Sequence, residues 1–315
     1  KASKETKKMP SVYIILLDSV ANTQAWRSLP KTIAFLEENF GAINFRHVNK
    51  VGDNSLPNGV SLFFGKSVVP VDRKMYGEPS VPPDWDRNKT CFSFHDKDGF
   101  VPSQFTEIGY KSLLAEDWAY GFLNWPKCSG FEKTPTTHYM RPFQIEYEYD
   151  LTTSLLHQGK DNCFEYHHFV FDYLSQFIEA YPDDPKIALV WASEIGHTYA
   201  DGVFHTDGYF YDYLWKHRKE FNESFVFFLG DHGIRWGSVR KTPLGNQEIN
   251  NPMLYISVPS WMRETQLVKN MRDNSEKLLT HFDTHATFID ILNVSLNKTT
   301  KRERERARQR ERERA

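Results

Sequence analysis

Short apolar runs alternate along this chain with longer segments whose apolar positions repeat at helical spacing. Runs rich in β-branched and aromatic residues predict strands at 11–17, 42–47, 111–115, 186–192, 224–230 and 253–258. The intervening periodicity predicts helices at about 24–39, 57–65, 161–180, 205–221, 262–279 and 284–292. The run Val12-Tyr13-Ile14-Ile15-Leu16-Leu17 is apolar without alternation, the pattern of a strand buried on both faces of a parallel sheet. Strands alternating with helices imply an α/β fold: a three-layer sandwich with a mostly parallel sheet covered by helices on both faces. The stretch 66–160 breaks this rhythm with prolines, aromatics and turn residues. It reads largely as an insertion over the strand ends, placed to cap a substrate. No internal repeat is visible.

Polar residues with metal and nucleophile chemistry sit where these apolar runs stop. The run Ser224–Leu229 ends in Gly230-Asp231-His232-Gly233. A carboxylate beside an imidazole offers two metal ligands at a sheet edge, and the flanking glycines permit a sharp turn. The first strand ends in Asp18, and open α/β sheets collect functional groups at the carboxyl ends of their strands. Asp18 reads equally as an N-cap of the following helix. In Lys50-Val51-Gly52-Asp53-Asn54-Ser55-Leu56-Pro57-Asn58-Gly59, Pro57 suits a first helical turn and places Ser55 at or next to the N-cap. Ser55 is then either a cap or a nucleophile at a helix end suited to anions. His197 follows the strand at 186–192, and His285 closes His281-Phe282-Asp283-Thr284-His285. Taken singly, each histidine reads as an ordinary polar residue. Arg235, Arg240 and Asn58 are candidates for gripping an anionic substrate, since Arg offers paired donors to phosphate or sulfate.

The order strand–Asp18, Ser55 in Ser-x-Pro-Asn, His197, Asp231-His232-Gly233 and His285 resembles the alkaline phosphatase superfamily. That superfamily includes phosphatases, nucleotide phosphodiesterases, phosphoglycerol and phosphoethanolamine transferases, and sulfatases. The wording of Asn54–Asn58 and Gly230–Arg235 looks like a narrower relative, the secreted animal family called domain of unknown function 229. The resemblance covers about residues 11–292, inside a domain taken as 11–298. It implies an alkaline phosphatase-like fold and a site for two divalent metal ions, usually zinc. Asp18, Ser55, Asp231 and His232 match the ligands of one metal, and His197 and His285 match those of the other. Ser55 matches the nucleophile that is transiently esterified. The implied activity is metal-dependent hydrolysis or transfer of phosphate esters carried by a small molecule, glycan or lipid. The chain departs from the pattern at Ser193, where phosphatase relatives carry an Asp four residues before the histidine. Glu194 stands next to it as a replacement ligand. That departure leaves an alternative: a catalytically impaired relative that binds an anionic glycan or lipid headgroup. Sulfatases need an Arg after the x-Pro-x that follows the reactive residue, and Gly59 stands there instead. Sulfatase chemistry is therefore disfavoured.

Composition adds limits. The 315 residues carry a net charge of −2, which argues against nucleic acid as a partner. Lys301–Ala315 hold eight basic and four acidic residues, so the rest of the chain carries −6. The tail 299–315, with its Arg/Glu alternation, cannot build a buried face and reads as solvated. Residues 1–10 read as a polar linker, and the chain reads as a fragment with material missing before it. No run of eighteen apolar residues exists to span a membrane. Four Asn-x-Ser/Thr sequons, at Asn88, Asn222, Asn293 and Asn297, favour a glycoprotein of the secretory pathway or extracellular space, tethered, if at all, by a segment outside this chain. The cysteines are Cys91, Cys128 and Cys163, and one disulfide is expected, taken as Cys128–Cys163.

Overall fold

The computed structural model of the chain describes residues 9–150, 165–197 and 201–296. Nine strands are found among the described residues: β1 (Val12–Leu17), β2 (Ile43–Asn44), β3 (Val48–Asn49), β4 (Lys111–Glu116), β5 (His138–Tyr139), β6 (Lys186–Ala192), β7 (Phe225–Leu229), β8 (Leu254–Ser257) and β9 (Leu279–Thr280). Seven form one sheet in the order β2-β8-β7-β1-β6-β4-β5, and β3 and β9 make a small separate pair. β1 runs parallel to both β6 and β7, and β4 runs parallel to β6 and β5. β8 alone is antiparallel to its neighbours β7 and β2.

The unbroken apolar runs are explained by helices on both faces. Val12, Ile14 and Leu16 of β1 join Ile187, Leu189, Trp191, Phe225, Phe227 and Leu229 in one core. Helices Ser55–Phe64, Val101–Glu107 and 281–296 cover that face. Tyr13, Ile15 and Leu17 face the second core, covered by Asn22–Ser28, Pro30–Phe40, Tyr166–Ala180 and Asp207–Lys216. Each fully buried Leu, Ile or Phe contributes about 2 kcal/mol of transfer free energy. Successive residues of one strand therefore stabilise opposite layers.

The two ends of the sheet differ in how their polar groups are satisfied. At the start of β6, the fully buried Lys186 reaches the carbonyls of Tyr181 and Asp184 and the carboxylate of Glu220. Tyr13 donates to the same Glu220 at 2.7 Å. That end is a closed structural network. At the opposite end, buried polar atoms of Asp231 and His232 lack partners among the described residues.

Several elements differ from their sequence-based bounds. The helix predicted over 24–39 is two helices, because Pro30 cannot donate to the preceding turn and instead starts the second. The helix predicted over 205–221 divides into Phe204–Thr206, Asp207–Lys216 and Arg218–Asn222. The strand at 42–47 shrinks to β2, and the helix at 262–279 to Gln266–Ser275. The helix at 284–292 instead extends over 281–296. The stretch 66–160 is not wholly an insertion, since β4 lies within it and pairs along its full length with β6. Met9 and Pro10, assigned to the linker, are buried. The disulfide joins Cys91 to Cys128, which corrects the Cys128–Cys163 expectation. The helix Arg87–Cys91 brings Cys91 to the segment after Asn124, where Ser129 N–H donates to the Cys91 carbonyl. Cys163, the tail 299–315 and residues 1–8 lie outside the described residues.

Two histidines buried under the second layer make stability depend on pH. His217 shares a hydrogen bond with Ser175 at 2.8 Å, and burial pushes its pKa down to about 4. Burial does the same to His167. An unfolded histidine titrates near 6.5, so between about 6.5 and 4 the unfolded chain binds more protons than the folded one. The stabilisation is therefore complete above pH 6.5 and lost as pH falls toward 4. Thermal melting across pH 4–8 is expected to show that decline, with a shallower slope for His217→Gln. An identical slope in the variant would exclude His217 as a source.

Candidate active site

The site begins where β1 and β7 end. Both strands run in the same direction, so Asp18 and Asp231 emerge side by side at the carboxyl edge of the sheet. Close backbone packing makes this possible: an added Cβ at Gly230 would strike the Val20 carbonyl, and one at Gly196 would strike that of Asp18. Asp18, Asp231 and His232 are all buried, and one ligand atom from each lies within 4.8 Å of the other two. His232 Nε2 is 3.3 Å from Asp231 Oδ2 and 4.0 Å from Asp18 Oδ1.

Neighbouring groups orient these donors. The Ser19 backbone has φ of 62°, a left-handed conformation that costs a non-glycine residue about 1 kcal/mol or more. Its N–H donates to Asp231 Oδ1 at 3.0 Å, and its hydroxyl donates to Asp18 Oδ1 at 2.7 Å. The His232 N–H also donates to Asp231 Oδ1. His232 Nδ1 donates to the Gly233 carbonyl at 2.8 Å, which leaves Nε2 as the lone-pair nitrogen. Asp231 Oδ2 and His232 Nε2 are buried with no hydrogen-bond partner among the described residues. Burial, with the charge of Asp18 added, pushes the Asp231 carboxyl up to about 6. Two carboxylates and an imidazole with orphaned atoms converging at ligand spacing fit one divalent cation.

Ser55 lies against this group. It opens the ten-residue helix Ser55–Phe64, and its hydroxyl donates to Asp18 Oδ2 at 2.9 Å. Asn58 braces the loop before it. Its carbonyl oxygen accepts from Val51 and Gly52 N–H, and its NH2 donates to the Gly52 and Asn54 carbonyls. Both polar atoms of the Asn58 side chain are thus engaged within the loop.

A cleft of about 470 Å3 opens over Asp18 and Ser55 and is also lined by Glu194, His197 and Arg235. Arg235 Nη2 donates to His197 Nε2 at 2.9 Å. Arg240 is exposed and turns back to the Arg235 carbonyl at 3.2 Å. His285 is not brought to the site. Its Nδ1 donates to the Leu62 carbonyl and its ring packs on Gly65, at the far end of the helix that Ser55 begins. His281, one turn earlier, is the nearer histidine, donating to the Asp231 carbonyl at 2.6 Å. The residues matched to a second metal are thus dispersed: His285 is remote and His197 is held by Arg235.

Asp117 and Glu116 were not singled out from sequence, although Leu113-Leu114-Ala115-Glu116-Asp117 repeats the apolar-run-then-carboxylate pattern of β1. Asp117 is fully buried beyond β4 and accepts from the N–H groups of Ser193 (2.6 Å) and Glu194 (3.3 Å). It therefore holds the short helix Glu194–His197 against the cleft. Burial, and then the negative charges of Glu148 and Asp18, raises the Glu194 pKa.

Solved structures share this architecture. A protein in the alkaline phosphatase superfamily from Vibrio parahaemolyticus aligns with a TM-score of 0.56 at 14% identity, over 90% of this chain and 66% of its own. The lipoteichoic acid synthase LtaP from Listeria monocytogenes aligns at 0.52 and 13%, over 93% and 74%. The PsFucS1 sulfatase from Pseudoalteromonas sp. aligns at 0.56 and 11%, over 91% and 68%. The chain spans just under two thirds of the first of these. Among curated proteins none matches. The fold is that of the alkaline phosphatase superfamily, and by a match across residues 1–315 the chain belongs to the family described as "Protein of unknown function (DUF229)".

Proposed function

We propose that this protein is a metal-dependent hydrolase or transferase of phosphate esters that uses Ser55 as its nucleophile and a single divalent ion. The reading rests on one observation: the orphaned Asp231 Oδ2 and His232 Nε2 converge with Asp18 next to the Ser55 hydroxyl. Asp18, Asp231 and His232 would hold the ion, with Ser55 beside them. A bound ion would supply electrostatic stabilisation and a lowered pKa for the hydroxyl. Zinc, manganese and magnesium all suit such oxygen and nitrogen donors.

The chain's own residues divide the remaining work. Asp18 accepts the Ser55 hydrogen bond and aims the oxygen into the cleft. The start of the helix Ser55–Phe64 adds positive potential where an anion arrives. Arg235 pairs with the non-bridging oxygens. His197 is a positioning residue that holds the guanidinium across from Ser55. Ser55 Oγ forms a bond to phosphorus as the bond to the departing alcohol breaks. Water or an acceptor alcohol then releases the phosphoryl group from Ser55. This arrangement supports assigning Arg235 the part of the site where the sequence resemblance implies a second metal.

The Cys91–Cys128 disulfide supports an oxidising compartment, in keeping with secretion. No helix among the described residues is long and apolar enough to cross a membrane.

Ser55→Ala is expected to lower phosphomonoester turnover by about a thousandfold or more, with an unchanged melting temperature. Full activity in that variant would remove Ser55 from the nucleophile role. Arg235→Lys is expected to lower kcat/KM by about ten- to a hundredfold, because a point charge replaces a two-pronged donor. An unchanged kcat/KM would show that Arg235 does not touch the transferred group. A wild-type protein that retains metal and binds phosphate without turning over any ester would instead favour the impaired, ligand-binding alternative.

A further inference from the structure

The cleft has aromatic lining that the chemistry above does not use. Trp236 lies against Arg235, and Trp118, Phe122 and Trp125 form a separate group. The Trp118 and Trp125 rings lie 5.5 Å apart, and Tyr120 lies 5.6 and 5.5 Å from them. Trp125 is 50% exposed, so its burial does not account for it. This group is held firmly from behind. Glu116 accepts from Phe122 N–H at 2.9 Å, Glu148 accepts from Ala119 N–H at 2.7 Å, and Arg141 donates to the Ala119 carbonyl at 2.8 Å. Gly121, at φ of 54°, leaves room for the Glu116 carboxylate. A large, exposed, preorganised aromatic surface beside a reaction centre is a means of binding what the ester is attached to.

We infer that the alcohol carried by the ester is a sugar, its ring stacked on Trp118 and Trp125. This rests on the reading of the cleft as an ester site. Two features favour a sugar over other leaving groups. The rings touch one another instead of surrounding a space, so they form a platform and not a cage for a quaternary ammonium. Among the described residues lining the cleft, Arg235 is the one permanent cation, and Glu194 faces the same space. A leaving group with further phosphates would find no second cation and would meet a carboxylate. A neutral polyhydroxylated ring would present an apolar face to the tryptophans and hydroxyl donors to Glu194, Ser193 and Asn54.

The test is binding, read by intrinsic tryptophan fluorescence and calorimetry on metal-loaded Ser55→Ala protein. The probes are glucose 6-phosphate, mannose 6-phosphate, uridine 5′-monophosphate and methyl phosphate. At least one hexose phosphate is expected to bind about tenfold or more tightly than methyl phosphate and uridine monophosphate. Adding Trp125→Ala is expected to erase that advantage, and Trp125→Phe to keep most of it. Equal affinity for all four probes, tighter binding of the nucleotide, or a preference that survives Trp125→Ala would overturn the inference. The two readings fail separately. Sugar-selective binding without turnover by the wild type would sink the hydrolase and leave the sugar platform. Turnover of methyl phosphate without sugar selectivity would do the reverse.

Discussion

Asp18 and Asp231 are carboxylates placed next to each other with almost no access to water. Burial, and then the neighbouring charge of Asp18, both work against an ionised Asp231 and raise its pKa. The surrounding chain compensates only in part. Ser19, Ser55 and the His232 backbone supply hydrogen bonds, yet Asp231 Oδ2 and His232 Nε2 remain without partners. A cation at that point relieves the repulsion and satisfies both orphans. The parallel pairing of β1 with β7 creates this crowding, the strained Ser19 backbone adapts to it, and the Ser55 helix is brought to its edge.

The two ends of one sheet contrast in how they treat buried charge. Lys186, Glu220 and Tyr13 show that the fold can bury charge and satisfy it completely. The opposite edge leaves Asp231 Oδ2, His232 Nε2 and His281 Nδ1 unpaired among the described residues, a cost of about 1–3 kcal/mol for each buried unsatisfied group. Arg235 and His197, joined by a hydrogen bond, line the same cleft. Trp118 and Trp125 add an aromatic surface to that cleft.

Much of the fold was legible because the local signals agreed with the global pattern. The runs that became β1 and β7 are apolar throughout, and that of β6 is apolar after Lys186, as a sheet covered on both faces needs. Asp18 and Asp231-His232 were visible because each interrupts such a run at its carboxyl end. What could not be read was direction and distance. His281 and His285 are one helical turn apart in the same segment, and only packing decides that His281 reaches the Asp231 loop while His285 meets Leu62. Asn58 is as polar as any ligand, but a loop that needed four hydrogen bonds consumed it. Cys91 pairs with Cys128 because a short helix delivers it, a detail of the irregular stretch that carries little periodicity.

The central claim is that Asp18, Asp231 and His232 hold one divalent ion. It is tested most directly by elemental mass spectrometry of the purified protein, beside a folded Asp231→Asn variant. About one equivalent of a divalent metal per chain is expected in the wild type, with a large loss in the variant. Two equivalents would contradict it, since His197 and His285 would then have to assemble a second site. No metal, or metal unaffected by Asp231→Asn, would contradict it as well.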